Sequence, residues 1–136
     1  MRAAVRVGLG ILAAVQLGTG LWQLILPRSF YEDFPTVDLA PPFNEHLMRD
    51  FGGANVAIGI IVVVVTVWLE KRLVQLVLIA YLAFAVPHLL FHLSHLHDAS
   101  ASEVAFQVVS LGSAVILPIV VLAMVPRALG YTVAPE

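Results

Sequence analysis

Four long apolar stretches divide the chain, and each is closed by charge or proline. The first covers about residues 3–26 and stops at Pro27. The second covers about 43–68 and is most continuously apolar from Ala54 onward. The third covers about 73–96, and the fourth about 103–125, stopping at Pro126. Each exceeds the roughly 20 residues that cross about 30 Å of hydrocarbon at 1.5 Å per residue. The pattern predicts an all-α fold: an integral membrane four-helix bundle of antiparallel up-down topology, forming a single four-span membrane domain over residues 1–136. The first stretch follows Arg2 and Arg6, but it is long for a signal peptide and no A-x-A site precedes Pro27, so a retained helix is expected.

The links between stretches are unequal. Glu70-Lys71-Arg72 reads as a tight turn that makes the second and third helices antiparallel neighbours. The link from His97 to Ser102 is also short, with Ser102 placed to cap the fourth helix and Glu103 in its first turn. The long link, 27–42, holds Pro27, Pro35, Pro41 and Pro42 together with aromatic residues. It is expected to fold as a cap on one end of the bundle, or else to lie as an inert interfacial loop with Tyr31 and its Phe neighbours among lipid head groups.

Composition agrees with a membrane protein. Sixty per cent of the 136 residues are hydrophobic and 12% are charged, against about 25% charged in a soluble domain. Mean hydropathy is +0.96. A net charge of −2 without a basic patch excludes a nucleic-acid partner. Cysteine is absent, so a metal must be held by nitrogen and oxygen ligands. Arg2, Arg6, Lys71, Arg72 and Arg127 fall on one side of a four-span arrangement, and Arg28 and Arg49 on the other. The positive-inside rule then predicts a multi-pass protein of the cell (inner or plasma) membrane with both termini cytoplasmic. Glu32, Asp33, Asp38, Glu45, Asp50, Asp98, Glu103 and all five histidines lie in the half predicted to face outward.

The candidate chemistry lies in the stretch V-P-H-L-L-F-H-L-S-H-L-H-D, residues 86–98. On a helix His88, His92 and His95 fall at about 0°, 40° and −20°, one face of the third span. His97 points the other way and reads as interfacial. Pro87 frees the Ala83 carbonyl and predicts a kink just before His88. The second span opens with Asn44-Glu45-His46-Leu47-Met48-Arg49-Asp50, in which Asn44 is a helix cap. Glu45 and Arg49 have ion-pair spacing, and His46 and Asp50 share the neighbouring face. Imidazole and carboxylate ligands suit Cu, Zn or Fe, and i, i+4 spacing lets one helix supply two ligands. Ionisable groups within a membrane usually face a bundle interior or a wet cavity. The candidate metal set is therefore His46, Asp50, His88 and His92, with His95 as alternate ligand and Glu45 as a further member.

Gln16, Thr19 and Gln23 form a polar stripe on the first span, and Gln107, Ser110 and Ser113 a comparable line on the fourth. Interhelical hydrogen bonding is their expected use. Gly8, Gly10, Ala14, Gly18, Gly20, Gly52, Gly53, Gly59 and Gly112 would allow close helix packing. Trp22 and Trp68 fit opposite aromatic belts. Nucleotide-binding and familiar hydrolase motifs are absent, and a single H-x-x-x-H box is too few for a membrane desaturase, so the sequence specifies no reaction.

Three stretches carry a resemblance: R-V-G-L-G…G-L-W-Q-L-I-L-P-R-S-F-Y-E-D-F-P, then P-P-F-N-E-H-L-M-R-D-F-G-G, and P-H-L-L-F-H-L-S-H-L. Over most of its length the chain resembles small actinobacterial four-helix membrane proteins of the DoxX-like type. The resemblance implies a four-span bundle and, loosely, a redox-accessory role; the histidine set is not part of it. The expected function is transition-metal binding at a His/Asp site, for metal handling or a redox or oxygenase-type centre. The alternatives are a binding or interaction protein for a lipid, quinone or partner helix, whose histidines form a hydrogen-bond network, and a bis-histidine haem protein. Expected partners are the bilayer, a small apolar ligand or partner membrane protein, and a second copy of the chain in a homo-oligomer.

Overall fold

A computed structural model describes residues 1–39, 42–97 and 99–130. Pro41 and Asp98 lie outside the described residues. The chain forms a four-helix bundle of α1 (Arg2–Ile25), α3 (Glu45–Trp68), α4 (Lys71–Leu93) and α5 (Ala101–Ala128), with a short α2 (Pro27–Asp33) in the first link. Each long helix is long and apolar enough to cross a membrane. The surface is apolar as well: Val7, Ile11, Val67, Leu76, Val109 and Ile116 are all exposed. In water such a surface would drive aggregation; in a bilayer it is the lipid-facing wall.

The helices form a ring in which each packs on its sequence neighbours and α5 returns to α1. The diagonal pairs, α1 with α4 and α3 with α5, make no backbone contact among the described residues. The seams differ in weight. α1 packs on α3 along most of its length and α4 packs broadly on α5, whereas α3 and α4 touch sparsely. The expected antiparallel pairing of the second and third spans is thus present, but it is the lightest seam of the ring.

Helix ends depart from the expected bounds for local reasons. Trp68 ends α3, and Leu69 caps it in the left-handed region at φ 50° with its side chain 5% exposed in the core. Burial of that side chain offsets the cost of a non-glycine residue at positive φ. The turn is therefore Leu69-Glu70, and Lys71 and Arg72 already belong to α4. Glu70 is its N-cap, accepting the amide N–H of Arg72 at 3.0 Å and of Leu73 at 2.8 Å. These two bonds, to Arg72 first and Leu73 second, hold its carboxyl below the usual carboxylate range. A depressed folded-state value means stabilisation that is complete above the unfolded-state value and lost as pH falls through the folded one. Glu70→Gln is expected to melt below wild type at neutral pH in detergent, with the gap closing as pH drops through the carboxylate range.

At the other end, Ser100 rather than Ser102 caps α5. Its hydroxyl accepts from the Glu103 amide while Glu103 accepts from the Ser100 amide at 2.7 Å, a reciprocal capping box. α5 also runs through Pro126 to Ala128, because the lost N–H falls in the last turn, where the Leu129 amide still reaches the Val125 carbonyl. α4 runs unbroken through Pro87 and ends at Leu93, three residues short of the expected bound, so His95 lies beyond the helix.

The interior is divided along the bundle. Val5, Leu9, Leu12, Val62, Val65, Val74, Leu78, Val121 and Val125 form an apolar core in the half nearer the termini. The opposite half buries four uncharged amides, Gln16, Gln23, Asn55 and Gln107. We call its outer extremity the cap end.

Candidate functional site

The 27–42 link folds as a cap over its described part. Pro27 occupies the first turn of α2, where its missing N–H costs nothing. Phe30, 4% exposed, stacks on Phe34 at 4.9 Å and meets the Trp22 ring edge-on at 5.5 Å. Phe34 reaches Phe106 on α5 at 6.0 Å, fastening the cap across the α1–α5 junction. The Trp22 indole N–H donates to Ser29 Oγ at 3.1 Å, and that hydroxyl donates to Asp33 at 2.8 Å.

All five histidines lie at the cap end: His46 on α3, His88 and His92 on α4, and His95 and His97 just past its end. His88 and His92 are half-buried on α4 with ring centres 4.7 Å apart. His88 stacks on Phe84 at 5.3 Å and lies 6.0 Å from Phe51 of α3. Phe51 and Phe84, themselves 5.5 Å apart, form the aromatic bridge of the sparse α3–α4 seam. His95 lies just past the helix end, stacked on Phe91 at 4.3 Å, with Nδ1 within 2.8 Å of the Phe91 carbonyl and 2.9 Å of Ser94 Oγ. The His97 ring is 6.3 Å from that of His95.

On α3, His46 Nε2 lies 3.3 Å from Asp50 Oδ2, with both side chains well exposed. Glu45 is committed to Arg49, whose Nε and Nη2 each lie 2.9 Å from its carboxylate. Arg49 also donates to the Leu24 carbonyl, so one guanidinium docks the start of α3 on the last turn of α1. The expected Glu45–Arg49 ion pair is present, and it occupies the carboxylate expected from sequence as a further metal ligand. Among the described residues no three His, Asp or Glu side chains converge closely enough to hold a metal ion. The structure thus offers two separate pairs, His88/His92 and His46/Asp50.

Behind this end lies the amide layer. Asn55 Nδ2 donates to Gln23 Oε1 at 2.9 Å across the α1–α3 seam, both side chains being buried. Gln16 Nε2 and Gln107 Oε1 are buried without a hydrogen-bond partner among the described residues. Thr19, Ser110 and Ser113 hydrogen-bond carbonyls of their own helices instead of neighbouring helices. The sequence pattern missed Asn55, Phe51 and Phe84. Gly52, Asn55 and Gly59 follow an i, i+3, i+7 spacing that marks one helical face, and that spacing is the signal by which Asn55 could have been found. No protein family, curated protein or solved structure matches the chain.

Proposed function

We propose that this multi-pass membrane protein takes up a transition metal at its cap end through His88 and His92. The observation that carries the reading is the 4.7 Å between the two ring centres. Imidazoles bound to one ion through nitrogens at about 2.0–2.1 Å have ring centres about 5 Å apart at a tetrahedral angle. Seating against Phe51 and Phe84 restrains the His88 ring, and a hydrophobic shell around a metal ligand limits solvent access.

Two protein ligands leave coordination positions open. That suits metal handling or a reactive centre better than a structural zinc, which is closed by four ligands. His95 is the nearest reserve ligand, since the Phe91 carbonyl and Ser94 engage its Nδ1 while Nε2 has no hydrogen-bond partner among the described residues. His46 and Asp50 are a second arm on the adjacent helix, with Glu45 held back by Arg49. Imidazole with carboxylate suits Cu, Zn or Fe. Haem suits the pair poorly, because bis-histidine ligation needs imidazoles on opposite faces of the ring whereas these two project from one helix face. In this reading the distribution of basic residues turns the cap end outward, both termini are cytoplasmic, and the DoxX-like resemblance favours a redox-accessory role.

Elemental analysis of detergent-purified protein, after reconstitution with Cu, Zn or Fe, tests the proposal. Wild type is expected to retain about one equivalent, and a His88→Ala/His92→Ala variant at least tenfold less. Substoichiometric metal in both preparations overturns it.

A further inference from the structure

The two basic residues at the cap end, Arg28 and Arg49, line the same cleft, a feature the metal reading leaves unused. This cleft of about 570 Å³ opens between the end of α1, α2 and the start of α3. Its apolar wall includes Ile25 and Leu26, 61% and 57% exposed, and Phe43. Glu32, Asp33 and Glu45 complete its charged lining, giving three carboxylates against two guanidinium groups.

The charges are not spent evenly. Glu45 is paired with Arg49, and Glu32 with Arg28 at 2.7 Å. Asp33 accepts only the Ser29 hydroxyl and has no ion-pair partner among the described residues. Arg28 uses Nε on Glu32 and holds its guanidinium 5.1 Å from the centre of the Phe43 ring. Its two terminal nitrogens, four N–H donors, have no hydrogen-bond partner among the described residues. The cleft therefore offers a cationic donor group, a separate uncompensated carboxylate and an apolar wall that continues onto the lipid-facing surface of α1.

We propose that this cleft binds the head group of a zwitterionic phospholipid bearing a primary ammonium. Arg28, with the outer N–H groups of Arg49, takes the phosphate by charge-assisted hydrogen bonds, as guanidinium forks do. Asp33 takes the ammonium, and the acyl chains lie along Ile25 and Leu26. A purely anionic head group satisfies the guanidinium groups but leaves Asp33 facing negative charge. A quaternary amine brings the charge without N–H donors. Both are therefore held less well.

Native mass spectrometry of the full chain in detergent, with added phosphatidylethanolamine, phosphatidylcholine or phosphatidylglycerol, tests this. Phosphatidylethanolamine is expected to be retained about tenfold over the other two. Asp33→Asn keeps the acceptor for Ser29 and is expected to erase that preference, while Arg28→Gln lowers retention of all three. Both positions are exposed on the cap, away from the core, so neither substitution endangers the fold, and equal melting temperatures check this. Equal retention of the three lipids by wild type, or a preference that survives Asp33→Asn, overturns the proposal. So does displacement of the lipid by equimolar soluble phosphoethanolamine, which would make the free head group the ligand.

Discussion

Gly52→Ala is expected to destabilise the bundle by about 1–3 kcal/mol, the usual cost of forcing one extra carbon into a packed contact, while Gly53→Ala keeps stability level or raises it by up to about 1 kcal/mol through helix propensity. A Cβ on Gly52 would lie 2.6 Å from the Leu24 backbone nitrogen and 2.8 Å from the Gly20 carbonyl oxygen. Backbone atoms cannot swing aside as the end of a side chain can, so the helices must separate. Gly20 meets the converse obstruction, 2.8 Å from Asn55 Cβ and 2.9 Å from the Val56 nitrogen. A Cβ on Gly53 meets nothing within 4 Å. Thermal unfolding of the two variants in the same detergent separates a steric effect from helix propensity, because both exchange glycine for alanine in one helix. Equal shifts would show that this close approach does not control stability.

Asn55→Leu is expected to cost about 1–2 kcal/mol, and adding Gln23→Leu is expected to recover much of the loss. The single substitution leaves Gln23 Oε1 buried and unpaired, and a stranded buried acceptor is worse than no polar pair. Interhelical hydrogen bonds in membranes are themselves modest, averaging about 0.6 kcal/mol, so most of the penalty lies in the stranded group. The double variant removes both partners and leaves aliphatic groups facing each other. Melting temperatures in a double-mutant cycle supply the comparison, and an additive cycle would refute coupling between Gln23 and Asn55.

The four spans were legible because a membrane requires long uninterrupted apolar stretches, and the up-down order followed from the short links. Sequence did not locate the Leu69 cap, since a left-handed leucine is permitted only by the core that receives its side chain. The α5 start was partly legible: Ser100 and Glu103 have capping-box spacing, but Ser102 stood nearer the acid and competed for the role. Glycine content predicted close packing without choosing positions. Gly20 and Gly52 lie in the α1–α3 contact while Gly10, Gly18, Gly53 and Gly112 face open space, a choice fixed by how each helix is rotated in the ring. The His88/His92 face was readable from helical spacing. Its separation from His46/Asp50 was not, because the short link set the order of α3 and α4 without setting how closely they pack.

The uneven seams also bear on how the protein is made. The most extensive contact, α1 against α3, involves only the first 68 residues and encloses the Gly20–Gly52 approach and the Gln23–Asn55 bond. It can close while the rest of the chain is still being synthesised, as N-terminal units generally do. α4 and α5 form the second broad pair, and the light α3–α4 seam with its Phe51–Phe84 bridge is the natural last closure. Assembly as two successive helical hairpins would shelter the buried amides of the first pair early and leave α4, with His88 and His92, to dock afterwards.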